Sequence, residues 1–159
     1  MEKNHLMNGK IVYPNKLKIS NSIKVAIIGS GNMANDYSKV VTSFGHKIKI
    51  FVSKSKSKNS IFLSKKYKSL LSSKISDISK TDVDLIIICS KWSELYSDLL
   101  ESIKLDKPTI VEKSLILNSS RYKKILKYQH KIFFAFNRNY YDFVNLLLSN
   151  LKKDNPQLI

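Results

Sequence analysis

The chain holds a single cysteine, Cys89, among its 159 residues, so no disulfide can form within it, which fits a reducing compartment. Arginine is nearly absent: Arg121 and Arg138 stand among 28 basic residues, and the rest are lysine. Acids are scarce too, 12 against those 28, for a formal net charge of +16. No apolar run approaches the roughly 18 residues that span a bilayer. The opening MEKNHLMNGKIVYPNK lacks the apolar core of about 7–15 residues that a secretory signal needs. These absences exclude a membrane-spanning or disulfide-stapled design and lead to the expectation of a cytoplasmic protein with no membrane partner.

The lysine excess invites a nucleic-acid reading. The shortage of arginine argues against it, because bidentate recognition of guanine and phosphate is mainly an arginine property. The lysines are scattered along the whole chain among many Asn, Ile, Ser and Tyr, as in the product of an AT-rich genome. The charge therefore reads as a solvated basic surface. What remains is globular: 43% of residues are hydrophobic and 25% charged, a balance typical of soluble domains. A chain of this length forms one domain by the usual prior and buries about 70% of its unfolded surface.

Strand-like and helix-like segments alternate. Ile23–Ile28 is a short continuous apolar run, as expected of a parallel strand buried on both faces. Asn32–Phe44 has helical spacing and ends at Gly45 in the C-cap position. His46–Val52 alternates like a strand, and SKSKSKNS (53–60) reads as a polar loop. Ile61–Tyr67 suits a short helix, Asp82–Cys89 a central strand, and Ser93–Ile103 an amphipathic helix. Pro108–Lys113 reads as a strand running into a loop. Ser119–Gln129 reads as a helix capped by Ser119 or Asn118. Lys131–Phe136 reads as a further strand and Tyr141–Lys153 as a last helix. The alternation implies an α/β fold of Rossmann type, a doubly wound parallel sheet in a single domain. The division expected is an N-terminal extension over 1–22, a nucleotide-binding domain over 23–140, and a crossover helix and tail over 141–159.

Only four glycines occur, and two of them punctuate KVAIIGSGNMANDY. Gly29, Gly31 and Ala34 form G-x-G-x-x-A between the first strand and the first helix. The first glycine suits a tight turn, the second close approach of a pyrophosphate, and the third small residue helix-to-sheet packing. With Asn32 and Met33 they make a dinucleotide cradle, because the helix N-terminus presents unpaired N–H groups and partial positive charge. NAD-binding domains place a carboxylate at the end of the second strand, on the adenosine ribose. Here that position offers Ser53, Lys54, Lys56 and Lys58 and no acid. At about 4 Å a lysine–phosphate attraction is worth roughly 1 kcal/mol in water and about 4 near a protein surface. NADP is therefore expected over NAD, with Ser53 and Lys54 nearest the 2′-phosphate.

The ordered series KVAIIGSGNMA, VSKS, DVDLIIICSKW, KPTIVEKS and FFAFNRNYYDFV resembles the glucose–fructose oxidoreductase/inositol dehydrogenase (Gfo/Idh/MocA) family, over roughly Ile23 to Leu148. The resemblance implies hydride transfer to or from a sugar or polyol hydroxyl carbon. It implies that Ser90 and Trp92 border the cofactor, that Glu112 lies near the nicotinamide, and that Lys113 approaches the reacting hydroxyl as the catalytic group. Lysine suits that task when cationic neighbours lower its pKa. Asn137 and Arg138 would sit near the cleft. Cys89 reads as a small core residue and Asp84 as structural. The chain departs from the family at Lys91 and Ser114, where prolines are usual, and at Asn139, where a second arginine is usual. Family members continue past the position of Ile159 into a substrate domain. The expectation is therefore a cofactor domain alone, either a truncated product or half of a split enzyme whose partner chain supplies the substrate domain. The alternatives are a non-catalytic NADP-binding module or degenerate remnant, and a basic nucleic-acid-binding protein.

Overall fold

The computed structural model describes residues 22–113 and 119–135. Among these residues six strands form one sheet: β1 (Lys24–Ile28), β2 (Lys47–Val52), β3 (Leu70–Ser72), β4 (Leu85–Ile88), β5 (Thr109–Glu112) and β6 (Ile132–Ala135). Their spatial order is β3-β2-β1-β4-β5-β6 and every neighbouring pair is parallel. This is the doubly wound arrangement of dinucleotide-binding folds, with the order reversing between β1 and β4. The Rossmann-type expectation is borne out.

Among the described residues four α-helices cover the sheet: α1 (Asn32–Ser43), α2 (Lys58–Lys66), α3 (Trp92–Ser102) and α4 (Ser119–Leu126). Successive strand residues point to opposite faces, so Val25 and Ile27 join a core with Ala34 and Val41 of α1 and Leu63 of α2. Ala26 and Ile28 join a second core with Leu95 and Leu99 of α3 and Ile125 of α4. The central strands are apolar on consecutive residues because both faces are covered. A register shift between Val25 and Ala26 leaves Lys49 of β2 as an extra residue. That bulge places Ile48 and Ile50 in different cores, where plain alternation would have put them on one face.

Several boundaries differ from the sequence reading. The polar stretch 53–60 is loop only to Ser57, whose hydroxyl accepts the Ser60 N–H and caps α2 three residues ahead of Ile61. Strand β3 and a 3-10 helix at Ile75–Lys80 were not anticipated. Ser119 lies inside α4 rather than before it, and α4 ends at Leu126, with a separate 3-10 turn at Gln129–Lys131. The end of α1 matches its motif. Gly45 has φ +80° and donates to Thr42, while His46 donates to Val41, closing both hydrogen bonds of a Schellman cap. Asp84 accepts the Lys24 backbone N–H at 2.7 Å, a structural role. Apart from Ser22, the extension read over 1–22 lies outside the described residues, as does the helix read over 141–153.

Candidate functional site

Strand β1 ends at Ile28 on the carboxyl edge of the sheet, and Gly29 turns there with φ +121°. Its N–H donates to the Val52 carbonyl at 2.8 Å. A Cβ on Gly29 would stand 2.7 Å from the Cys89 carbonyl oxygen, so only glycine fits against the end of β4. Gly31 is different. Its φ of −80° suits any residue, and a Cβ there would meet no heavy atom within 4 Å. The protein's own packing does not require glycine at 31. No side chain caps α1 at this residue, so the first-turn N–H groups keep their hydrogen-bonding capacity at the positive end of the helix dipole. Ala34 is fully buried and seats that first turn on the sheet.

A cavity of about 690 Å³ opens over the carboxyl ends of β1, β2 and β4, at the point where strand order reverses. Gly29, Gly31, Asn32 and Met33 line it from the glycine turn, Ser53 and Lys54 from the end of β2, and Ser90 and Lys91 from the end of β4. The Ser90 hydroxyl is buried with no hydrogen-bond partner, an uncommon condition that points to a missing acceptor or donor. The lip is braced. Ser30 Oγ lies 3.1 Å from Ser53 Oγ, Ser53 donates to the Ser55 carbonyl at 2.7 Å, and Asn59 donates to the Ser30 carbonyl. With its proton on the Ser55 carbonyl, Ser53 is left as the acceptor toward the Ser30 hydroxyl.

Lys54 is also engaged. Its Nζ lies 2.8 Å from Oδ1 of Asp98 in α3, whose side chain is 2% exposed against 50% for the lysine. The Asp98 carboxylate raises the lysine's pKa, burial works against it, and Glu94 and Glu101 add to the rise. The loop after β2 contains no acid, yet the fold delivers one from α3. Asp98 and Glu94 both line the cavity, and sequence reasoning missed them. The available signal was an acid on the buried stripe of α3, between Leu95 and Leu99, which the structure shows fully covered.

Of the remaining residues singled out in the sequence, Cys89 lines the cavity, whereas Trp92, Glu112 and Lys113 do not. Trp92 opens α3 but is 72% exposed and does not line the cavity. Glu112 ends β5, where Oε2 accepts the Tyr37 hydroxyl at 2.7 Å and Oε1 accepts the Lys113 backbone N–H at 3.0 Å. Burial first, then the Glu112 carboxylate, pushes the Tyr37 phenol well above its ordinary range. Lys113 follows, exposed. The Cys89 thiol is pushed up to about 12 by burial, with Glu112 adding, which leaves it protonated and inert at neutral pH. Asn137, Arg138 and Ser114 lie outside the described residues. The fold thus gathers the glycine turn, Ser53, Lys54 and Ser90 around one cavity, and leaves Trp92, Glu112 and Lys113 off its wall.

A family model described as "NADP oxidoreductase coenzyme F420-dependent" matches residues 24–117, more than half of the chain. No curated protein sequence matches. Among solved structures, the chain is similar to scyllo-inositol dehydrogenase from Lactobacillus casei with bound NAD(H) and scyllo-inositol. The identity is 17% and the TM-score 0.71, over 83% of this chain and 42% of that one. It is similar to a Gfo/Idh/MocA family oxidoreductase from Vibrio cholerae at 22% identity and TM-score 0.68, over 83% and 44%. It is similar to the WlbA dehydrogenase from Thermus thermophilus in complex with NAD and UDP-GlcNAcA at 13% identity and TM-score 0.69, over 82% and 47%. At these identities the likeness is one of fold, and it bears out the Gfo/Idh/MocA resemblance at that level. The chain spans less than half the length of each of these structures. Among the described residues no helix is long and apolar enough to cross a membrane.

Proposed function

The chain belongs to that NADP oxidoreductase family, and from this premise we propose that its β1–β4 crevice holds a nicotinamide dinucleotide as the nucleotide-binding part of an oxidoreductase. The clearance above Gly31 carries the reading. A glycine that the protein's packing does not need stands where a side chain would project into a cavity, and close approach of a pyrophosphate accounts for it. The first-turn amides of α1, at Asn32 and Met33, would hold the phosphates, and the orphaned Ser90 hydroxyl would gain a partner. These residues fit the group.

For the ribose end we favour NADP over NAD, since the loop after β2 offers Lys54, Lys56 and Lys58 and no acid. Bound nicotinamide supplies a hydride donor or acceptor. On the protein side, Lys113 takes the proton of a sugar or polyol hydroxyl or polarises its oxygen, and Glu112 orients the loop that carries it. Asn137 and Arg138, outside the described residues, are assigned to cofactor binding by the family resemblance. The nucleotide-binding unit is assigned to 23–140, with substrate specificity supplied by a partner chain or domain. Support comes from the similar structures, which contain NAD(H) with scyllo-inositol, or NAD with UDP-GlcNAcA.

The test is a titration of the folded chain with NADPH and with NADH, following energy transfer from Trp92, the lone tryptophan. Saturable binding, tighter for NADPH, is expected, and no binding of either overturns the reading. A panel of polyols then separates catalysis from binding alone. Turnover lost in Lys113→Met, with NADPH affinity kept within about twofold, supports the enzyme. Binding without turnover supports the second reading, a non-catalytic module. That reading is favoured by Lys113 standing exposed and away from the cavity wall.

A further inference from the structure

The carboxylate that NAD-binding domains place at the end of the second strand is missing from this loop, yet a buried carboxylate reaches the same cavity from another element. Asp98 is 1% exposed, lines the cavity with Lys54, and touches the lysine ammonium at 2.8 Å. Asp98 is buried while Lys54 is half exposed, so drawing the lysine away leaves the aspartate charge buried without its partner, which is unfavourable. The half-exposed ammonium has three donors, so a cofactor 2′-phosphate that recruits Lys54 shares it with Asp98 or draws it away, and in either case sits near that negative charge. A 2′-hydroxyl makes no such demand, because it can donate to a carboxylate and leave the lysine in place.

We propose that Asp98 is a specificity-determining residue of this site: it competes with a cofactor 2′-phosphate for Lys54 and so holds the preference for NADP over NAD to a modest level. This rests on the reading that the crevice holds a nicotinamide dinucleotide. The acid comes from α3, so the preference is set by a pair bridging two elements rather than by the β2 loop alone. Ser53 does not offset the competition, since its proton is committed to the Ser55 carbonyl.

Dissociation constants for NADPH and NADH, measured on the full chain and three variants with melting temperature checked for each, test the proposal. In the unaltered chain NADPH is expected to bind more tightly, by less than about tenfold. Asp98→Asn releases Lys54 and raises that ratio about tenfold, which is about 1.4 kcal/mol. Lys54→Met leaves Asp98 facing the 2′-phosphate and inverts the preference toward NADH. The double replacement Lys54→Met with Asp98→Asn removes both charges and returns the ratio to near one. This contrast between the single and double lysine variants stands even if Asp98→Asn alone fails to fold. If both cofactors bind but Asp98→Asn leaves the ratio within twofold, or the Lys54→Met single and double variants share one ratio, Asp98 is a structural counter-ion and the proposal is overturned. If the folded, unaltered chain binds neither dinucleotide, the underlying site reading falls, and this proposal with it.

Discussion

The two glycines of the opening turn differ in what constrains them. Gly29 combines φ +121° with a would-be Cβ contact of 2.7 Å on the Cys89 carbonyl, so Gly29→Ala strains the backbone and separates β1 from β4. A loss of about 2 kcal/mol or more is expected in chemical denaturation. Gly31→Ala has open space and an ordinary φ, so its cost is no more than about 1 kcal/mol, that of a poorer helix cap. Its effect is expected in dinucleotide affinity instead, a loss of at least about tenfold. Equal stability losses in the two variants would contradict this division. Tyr37 provides a titration of its own. Its phenol is held above the ordinary value of 10.0 by burial and by Glu112. The folded value is raised, so the stabilisation is complete below pH 10 and is lost as pH rises through the folded value. An ultraviolet pH titration is expected to show one late-ionising tyrosine that Tyr37→Phe removes. Cys89, buried with its thiol at about 12, is expected to resist a thiol reagent at neutral pH until the chain is unfolded.

Among the elements, α2 shows how much one hydroxyl decides. Its first turn, Lys58-Asn59-Ser60, is polar, and the Ser57 cap starts it. Ser57→Ala is expected to cost about 1 kcal/mol, measured by denaturation, and to loosen Asn59 from the Ser30 carbonyl that it braces. Elements with strong local patterns were legible in the sequence: the apolar runs of β1 and β4, the spacing of α1 and α3, and Gly45 closing α1. Those set by context were not. Strand β3 has only three residues and no fully buried one, so it carries no apolar run. The bulge in β2 is invisible because KIKIFV reads as simple alternation. The glycine turn was legible because its chemistry is local in sequence. The Lys54–Asp98 pair was not, since it joins a loop to a distant helix that only the parallel sheet brings together.

At the scale of the whole fold, the described residues form a sheet whose order reversal opens a cavity between the glycine turn, the end of β2 and the end of β4. Chain connectivity alone fixes that location: β1, β2 and β3 wind to one side, and β4 returns beside β1. A second concavity between α3 and α4, lined by Lys104, Lys123, Lys124 and Lys127, offers the competing place for an anion and the physical form of the basic nucleic-acid reading. Amide mapping by NMR separates the two in one experiment. Adding NADPH is expected to shift the amides of Gly29 to Met33, Lys54 and Ser90 and to leave those of Lys123, Lys124 and Lys127 unmoved. Shifts confined to the α3–α4 lysines, with the glycine turn silent, would contradict a dinucleotide site at the strand reversal.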